Sequence, residues 1–434
     1  GIAWPLHVVR KTPAKGQEQY DVTLGKEIRA VFLRAQDSKG TLRLRKATLA
    51  MNTDANLQVK DGIFVTGALD ELDLDLWRSY LRKVSKPGAA TSTAPVTLGL
   101  HGFDLTVSKL IALDKVIGVT RVSAELKGTA WQSTIVSNDF NGTLTWKPEG
   151  QGTIIARFKN FVIPDSVESK PLAQAPAPEL ANAPVEVDFP ALDIVAEEFR
   201  LKKRVLGRLE LLAKPDARNW RLEKLRLIMP DATLEASGLW QGLPAKPNTA
   251  MDMNLDVRDI GKFLGHLGQP DSVKGGTANL NGKLSWVGNP YDFTPTILTG
   301  NFRLEAIKGQ FLQVSSSGAG KLLSLISLQA LPRRITLDFR DVFSSGFAFD
   351  DMAGSFVIDK GLMATNDFLI NGTAAIVTME GSVNLVEENQ NLRVKVIPAA
   401  SDTVAIASTL LGGPVVGVVS YLLQKLLKNP FGQI

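Results

Sequence analysis

The residues able to carry catalysis are few and scattered. Histidine occurs three times, at His7, His101 and His266, and none has a second histidine three or four residues away, the spacing that sets two ligands on one helix face. Gly318-Ala319-Gly320-Lys321 has the outline of a phosphate loop. However, Ser315 stands where such a loop has its first glycine, and Leu322 where Ser or Thr holds magnesium. Asp350-Asp351 and the pair Asp338 and Asp341 could hold a cation, but acidic residues at strand ends and turns are solvated far more often. No Gly-x-Ser-x-Gly elbow and no dinucleotide fingerprint is present. Cysteine is absent, which removes thiol nucleophiles, thiolate metal sites and disulfides. These residues predict no enzyme, no metal site and no cofactor.

Composition narrows the class. With 44% hydrophobic and 21% charged residues over 434 positions, the chain is neither disordered nor wholly membrane-embedded. It can bury a sizeable apolar surface, and its length allows about three domains. A net charge of +5 falls short of the clustered basic field of a nucleic-acid binder and better suits anionic lipid head groups. Gly1-Ile2-Ala3-Trp4 opens without Met, a basic n-region or a signal-type apolar run. The chain therefore reads as part of a longer protein whose targeting or anchoring segment lies outside it.

The elements that position these residues are mostly short strands. Ile335-Thr336-Leu337-Asp338-Phe339-Arg340, Phe302-Arg303-Leu304-Glu305-Ala306, Leu222-Glu223-Lys224-Leu225-Arg226-Leu227 and Leu392-Arg393-Val394-Lys395-Val396 alternate with period two. That spacing gathers the apolar side chains on one face and the charges on the other. Val8-Val9, Ile28 to Leu33, Leu42-Arg43-Leu44 and Ile63-Phe64-Val65 continue the pattern upstream. Two short helices interrupt it. One carries the stripe Trp77, Tyr80, Leu81 and Val84; the other spans 259–268 with Ile260, Phe263, Leu264 and Leu267 before Gly268 and Pro270. Gly118 to Trp131 and Gly207 to Trp220 share one Gly-to-Trp spacing. Gly142, Gly238, Gly282 and Gly381 each open what reads as a further strand, the first three leading to Trp146, Trp240 and Trp286. Repetition of this kind predicts stacked strand units that mainly contact their neighbours. The Pro- and Ala-rich stretch 164–190 predicts a loop or linker, with 85–95 a smaller version.

The C-terminal third is the most specific. Phe311-Leu312-Gln313-Val314 leads to Lys321-Leu322-Leu323-Ser324-Leu325-Ile326-Ser327-Leu328, a predicted helix ended by Pro332. The strand at 335–340 follows, then Asp341 to Asp350, Gly354, Lys360-Gly361, Gly381-Ser382-Val383-Asn384-Leu385, Val394-Lys395-Val396-Ile397-Pro398, Gly412-Gly413-Pro414 and Gln424-Lys425-Leu426-Leu427. From about 309 to 434 this series resembles the C-terminal module of the YhdP-type branch of AsmA-like proteins. Leu255-Asp256-Val257-Arg258-Asp259 and Val273-Lys274-Gly275-Gly276 fit it upstream. The resemblance implies a periplasmic, bridge-like carrier of phospholipid in the Gram-negative envelope, linked to the outer-membrane permeability barrier. It also implies an inner-membrane anchor through an N-terminal helix outside this chain, and a far end at the outer membrane.

By pattern alone the alternating face reads as the core of β-sandwiches or a closed barrel; the resemblance reverses that reading. The expected fold is mainly β: an elongated, curled antiparallel sheet forming a repeating β-groove, with a few short helices and a C-terminal helical hairpin. Its expected divisions are 1–163 (N-terminal part of the groove), 164–190 (loop or linker), 191–308 (middle repeats), 309–400 (AsmA-like module) and 401–434 (apolar helical segment). Leu209, Leu211, Leu225, Leu227, Leu284, Leu304, Leu337, Phe339, Phe356, Ile358, Leu385 and Val394 are the expected groove-lining residues. The alternative is an envelope structural or assembly factor whose groove receives client β-strands by edge pairing.

Residues 403–424 carry no charge, a length that would suffice for a membrane span of about 20 residues. Gly412-Gly413-Pro414 divides them into two predicted helices, 404–411 and 415–427. Val404, Ile406, Leu410, Leu411, Val415, Val416, Val418, Val419, Leu422 and Leu423 are expected to enter one leaflet, with Lys425 and Lys428 at anionic head groups. The competing reading folds both helices back to plug the end of the sheet.

Overall fold

In the computed structural model, residues 4–74, 76, 99–112, 115–163, 189–201, 204–242, 247–290, 294–312, 346–387 and 389–398 are described. They form one sheet. Its N-terminal strands are β1 (Leu6–Lys11), β2 (Gln17–Leu24), β3 (Ile28–Gln36), β4 (Leu42–Met51), β5 (Gly62–Asp73), β6 (Leu100–Ala112), β7 (Lys115–Ile117), β8 (Thr120–Lys127), β9 (Ala130–Ser137), β10 (Phe140–Lys147) and β11 (Thr153–Ile163). The remainder are β12 (Ala191–Leu201), β13 (Arg204–Asp216), β14 (Asn219–Ile228), β15 (Ala232–Gln241), β16 (Asn248–Val257), β17 (Val273–Val287), β18 (Leu298–Phe311), β19 (Phe347–Asp359), β20 (Leu362–Gly372), β21 (Ala375–Asn384) and β22 (Asn389–Pro398). Twenty-two strands spaced by about 4.8 Å give the sheet a contour on the order of 100 Å. The protein is mainly β, an elongated and curled sheet in which each strand chiefly touches its two neighbours.

The pairing is antiparallel except at three junctions, β4–β5, β5–β6 and β11–β12. Parallel neighbours cannot be joined by a tight hairpin and need a crossover. Two of the three crossovers coincide with the proline-rich stretches, and β11 and β12 pair directly on either side of 164–188.

The glycines expected to open strands sit inside them instead: Gly142 in β10, Gly238 in β15, Gly282 in β17 and Gly381 in β21. Gly282 shows why. A Cβ there would lie 2.3 Å from the Asn301 carbonyl oxygen and 2.5 Å from Phe302 Cβ, so only glycine lets β18 approach and Phe302 lie across the gap. Phe158 covers Gly142 in the same way, its ring 2.9 Å from where a Cβ would stand. Glycine kinks of this kind bend a sheet that would otherwise only twist.

One α-helix is described at length, α1 (Ile260–His266), where the sequence places its second helix. The Asp259 side chain caps it by accepting from the Lys262 amide at 3.0 Å, and Gly268, at φ 80, ends it. Ile260 is buried, while Phe263 and Leu264 pack on the sheet's apolar side. The helix joins β16 to β17 and reaches back to β13. His266 Nδ1 lies 3.1 Å from Asp231 Oδ2 in the β14–β15 turn. The expected helices at Trp77 to Val84, at 321–328 and at 404–427, and the strand at 335–340, lie outside the described residues.

Candidate functional site

Pairing register sorts the apolar residues of β13 to β21 into rows that cross the strands. The row nearest one set of strand ends runs Trp220, Trp240, Thr249, Trp286, Leu298, and every member is buried. Trp220 Nε1 donates to the Pro190 carbonyl and Trp286 Nε1 to that of Asn289, each at 2.9 Å. Phe189 closes over this row, its ring centroid 4.9 Å from that of Trp240 in an edge-on contact. At the other strand ends, the row Ala232, Val257, Ala278, Ala306, Met352, Ile370, Val377 lies beside α1 and is mostly buried.

Three rows between them are different. Leu222, Gly238, Met251, Leu284 and Gly300 form one; Leu211, Leu225, Ala236, Met253, Gly282, Phe302 and Phe356 the second; and Leu234, Leu255, Leu280 and Leu304 the third. All are half-buried. Packed rows thus flank a band of apolar side chains that the described residues cover only in part. Rows on one face are about 6.8 Å apart, two residues of strand rise, so the band is on the order of 15–20 Å wide.

The expected lining residues separate accordingly. Leu211, Leu225, Leu284, Leu304 and Phe356 stand in the half-covered band, and Val394, half-buried and paired with Met379, stands on the same face further along. Leu209, paired with Leu227, and Ile358, opposite Gly300, are also on this face but buried. Leu385 is not in a strand. The Asn384 side chain accepts from the Val386 and Glu387 amides at 2.9 and 3.0 Å, ending β21 in a turn that leaves Leu385 37% exposed. Leu337, Phe339 and all residues from Val404 to Lys428 named above lie outside the described residues.

The opposite face is charged and paired across strands. Lys224 meets Glu210 at 2.5 Å, Arg226 meets Glu235 at 3.0 Å and Lys283 meets Asp252 at 3.0 Å. Lys224 above all, with Arg208 beside it, holds the Glu210 carboxyl below its usual range. Arg121 grips Asp104 with two bonds of 2.9 and 2.7 Å and lowers it likewise. Among the described residues no three His, Asp or Glu side chains gather as a metal site.

Sequence reasoning missed one group. Register carries the apolar face back through Leu49, Ala30, Val22 and Val8. On that same face, toward the far ends of β1 to β3, stand Arg10, Glu18, Tyr20 and Arg34. Arg10 is hydrogen-bonded to Glu18, Tyr20 Oη donates to Glu18 Oε2 at 2.9 Å, and Arg34 lies 3.6 Å from the same carboxylate. The Tyr20 hydrogen bond, with Arg10 and Arg34 behind it, holds Glu18 below the usual carboxylate range. Counting back by twos from Leu24 and Val22 would have found it.

No solved structure matches this chain. It is 32% identical over 194 residues to the intermembrane phospholipid transporter YhdP of Escherichia coli (strain K12), a match covering 45% of this chain and 15% of that protein. The chain thus aligns with a small part of this relative's length. The family model described as YhdP protein matches residues 1–434, and by that match across its whole length the chain belongs to the YhdP family.

Proposed function

We propose that the half-buried apolar band is a groove that carries phospholipid acyl chains, and that the chain is one stretch of a carrier moving phospholipid between the inner and outer membranes through the periplasm. The single observation behind this is the three partly covered apolar rows between two packed ones. The similarity to a phospholipid transporter supports the cargo. At about 0.8 kcal/mol per methylene, drawing a sixteen-carbon chain into water costs on the order of 10 kcal/mol. A continuous apolar path removes that barrier with no bond made or broken, so the proposed action needs no catalytic residue and no cofactor.

The test is to extract and weigh what travels with the purified chain. Stoichiometric phospholipid retained through gel filtration supports the proposal; a lipid-free protein that instead retains client polypeptide would favour the assembly-factor reading. Membrane contact by 401–434 belongs to the same proposal. Deleting that segment should abolish liposome binding while far-ultraviolet circular dichroism keeps its β signal, and unchanged liposome binding would refute the contact.

A further inference from the structure

We infer that Arg10, Tyr20 and Arg34, arranged around Glu18, form a station on the groove face that binds the phosphate of a phospholipid head group. The inference rests on the groove reading and adds a polar address to it. In β1 to β3 two guanidinium groups share one carboxylate, leaving a net positive charge on the face that elsewhere carries the apolar rows.

The carboxylate is held back and the cations are offered. The Glu18 side chain is 14% exposed, whereas Arg10 and Arg34 are 60% and 42% exposed. Arg34 is steadied by donating to the Leu42 carbonyl at 3.1 Å. Arginine presents donors in a planar fork that matches two phosphate oxygens at once. Along the same strands and face, Val22, Leu24, Ala30 and Ile28 continue away from the charges. From Glu18 to Leu24 is about 20 Å of strand, enough for acyl chains that span about 15 Å, half of a bilayer's 30 Å core. A head-to-tail gradient of lipid dimensions is therefore built into three strands.

The competing account is that inward charges guard β1, which among the described residues pairs only with β2, against unwanted pairing. The two accounts differ in sign for one substitution. Glu18→Gln keeps an acceptor for Tyr20 but removes the only negative charge of the group, so it should strengthen phosphate binding. Arg10→Gln with Arg34→Gln should weaken it.

The experiment uses the full chain and two photo-crosslinking lipids with identical acyl chains, phosphatidylglycerol and diacylglycerol, with crosslinks mapped by peptide mass spectrometry. Phosphatidylglycerol should label the peptides of β1 to β3 about three- to tenfold more than diacylglycerol does. The double arginine variant should erase that preference, and Glu18→Gln should increase it, while labelling near Phe302 stays unchanged in all three proteins. Inorganic phosphate added as competitor should displace little, because it brings no acyl chain. Equal labelling by the two lipids, a lowered preference in Glu18→Gln, or displacement by inorganic phosphate overturns the station. In those outcomes labelling near Phe302 leaves the groove reading standing, whereas absence of label everywhere sinks both.

Discussion

Trp220 and Trp240 face each other across β14 and β15 as a directly paired couple, and both are buried, yet among the described residues only Trp220 finds an acceptor for its indole N–H. Trp220 donates to the Pro190 carbonyl at 2.9 Å, while Trp240 Nε1 is enclosed with no partner among the described residues. A buried donor without an acceptor costs about 1–3 kcal/mol. Trp240→Phe should therefore be neutral or stabilising despite its lost area, and Trp220→Phe should destabilise by about 1–2 kcal/mol because it strands a carbonyl. Denaturant titration of the two variants checks this; equal losses would contradict it.

Charge placed on the apolar face should act according to row. Leu304→Asp lies in the half-buried band, so it should lower retained lipid while the sheet persists, with Arg303→Asp on the opposite face as control. Ile370, 1% exposed in the packed row, should tolerate no such change: Ile370→Asp should cost several kcal/mol and unfold its surroundings. Circular dichroism and lipid extraction on the same samples separate the two outcomes. Failure of Leu304→Asp to fold would mark its row as core.

Bending at glycine is equally open to test. Gly282→Val drives a branched side chain into the Asn301 carbonyl and Phe302, with an expected loss of about 2–4 kcal/mol. Lys283→Val, one residue along and exposed, should cost little. Thermal melts of the pair give the comparison.

Acid should weaken the polar face. The Glu210 carboxyl is lowered in the folded state, chiefly by Lys224 and then by Arg208. Its contribution is therefore complete above the ordinary glutamate range, near pH 4.5, and fades as pH falls through the lower folded value. Glu210→Gln should melt below the wild type at pH 7, and the two should converge as the pH drops below the ordinary glutamate range. A gap that stays constant with pH would rule out the ion pairs as its origin.

Much of the strand content is legible in the sequence because period two survives wherever one face is apolar. Phe302 to Ala306 falls in β18 with the alternation intact, whereas Leu222 to Leu227 falls in β14 with a bulge between Leu222 and Leu225 that keeps both on the apolar face. The helix at Ile260 is legible because a cap, a stripe and a stop coincide within ten residues. Parallel junctions are not, since a proline-rich stretch shows that the ladder is interrupted without showing which strand resumes it. The burial that sets Leu209 apart from Leu211 is equally hidden, because both have the same residue type and parity and differ only in what α1 and the neighbouring rows cover. Arg10, Glu18 and Arg34 escape notice because in a one-dimensional reading charges in a strand default to the solvent face.

The reach of α1 from the β16–β17 connection back to β13 bears on how the protein comes apart. A sheet whose strands meet only their neighbours transmits cooperativity in series, one interface at a time, and its stability is a sum of local terms. Such a chain has no single unfolding free energy. Where α1 bridges β13 to β17, however, those five strands share a fastening that none of them can lose separately. They should melt as one block, leaving the flanking strands to fray around it.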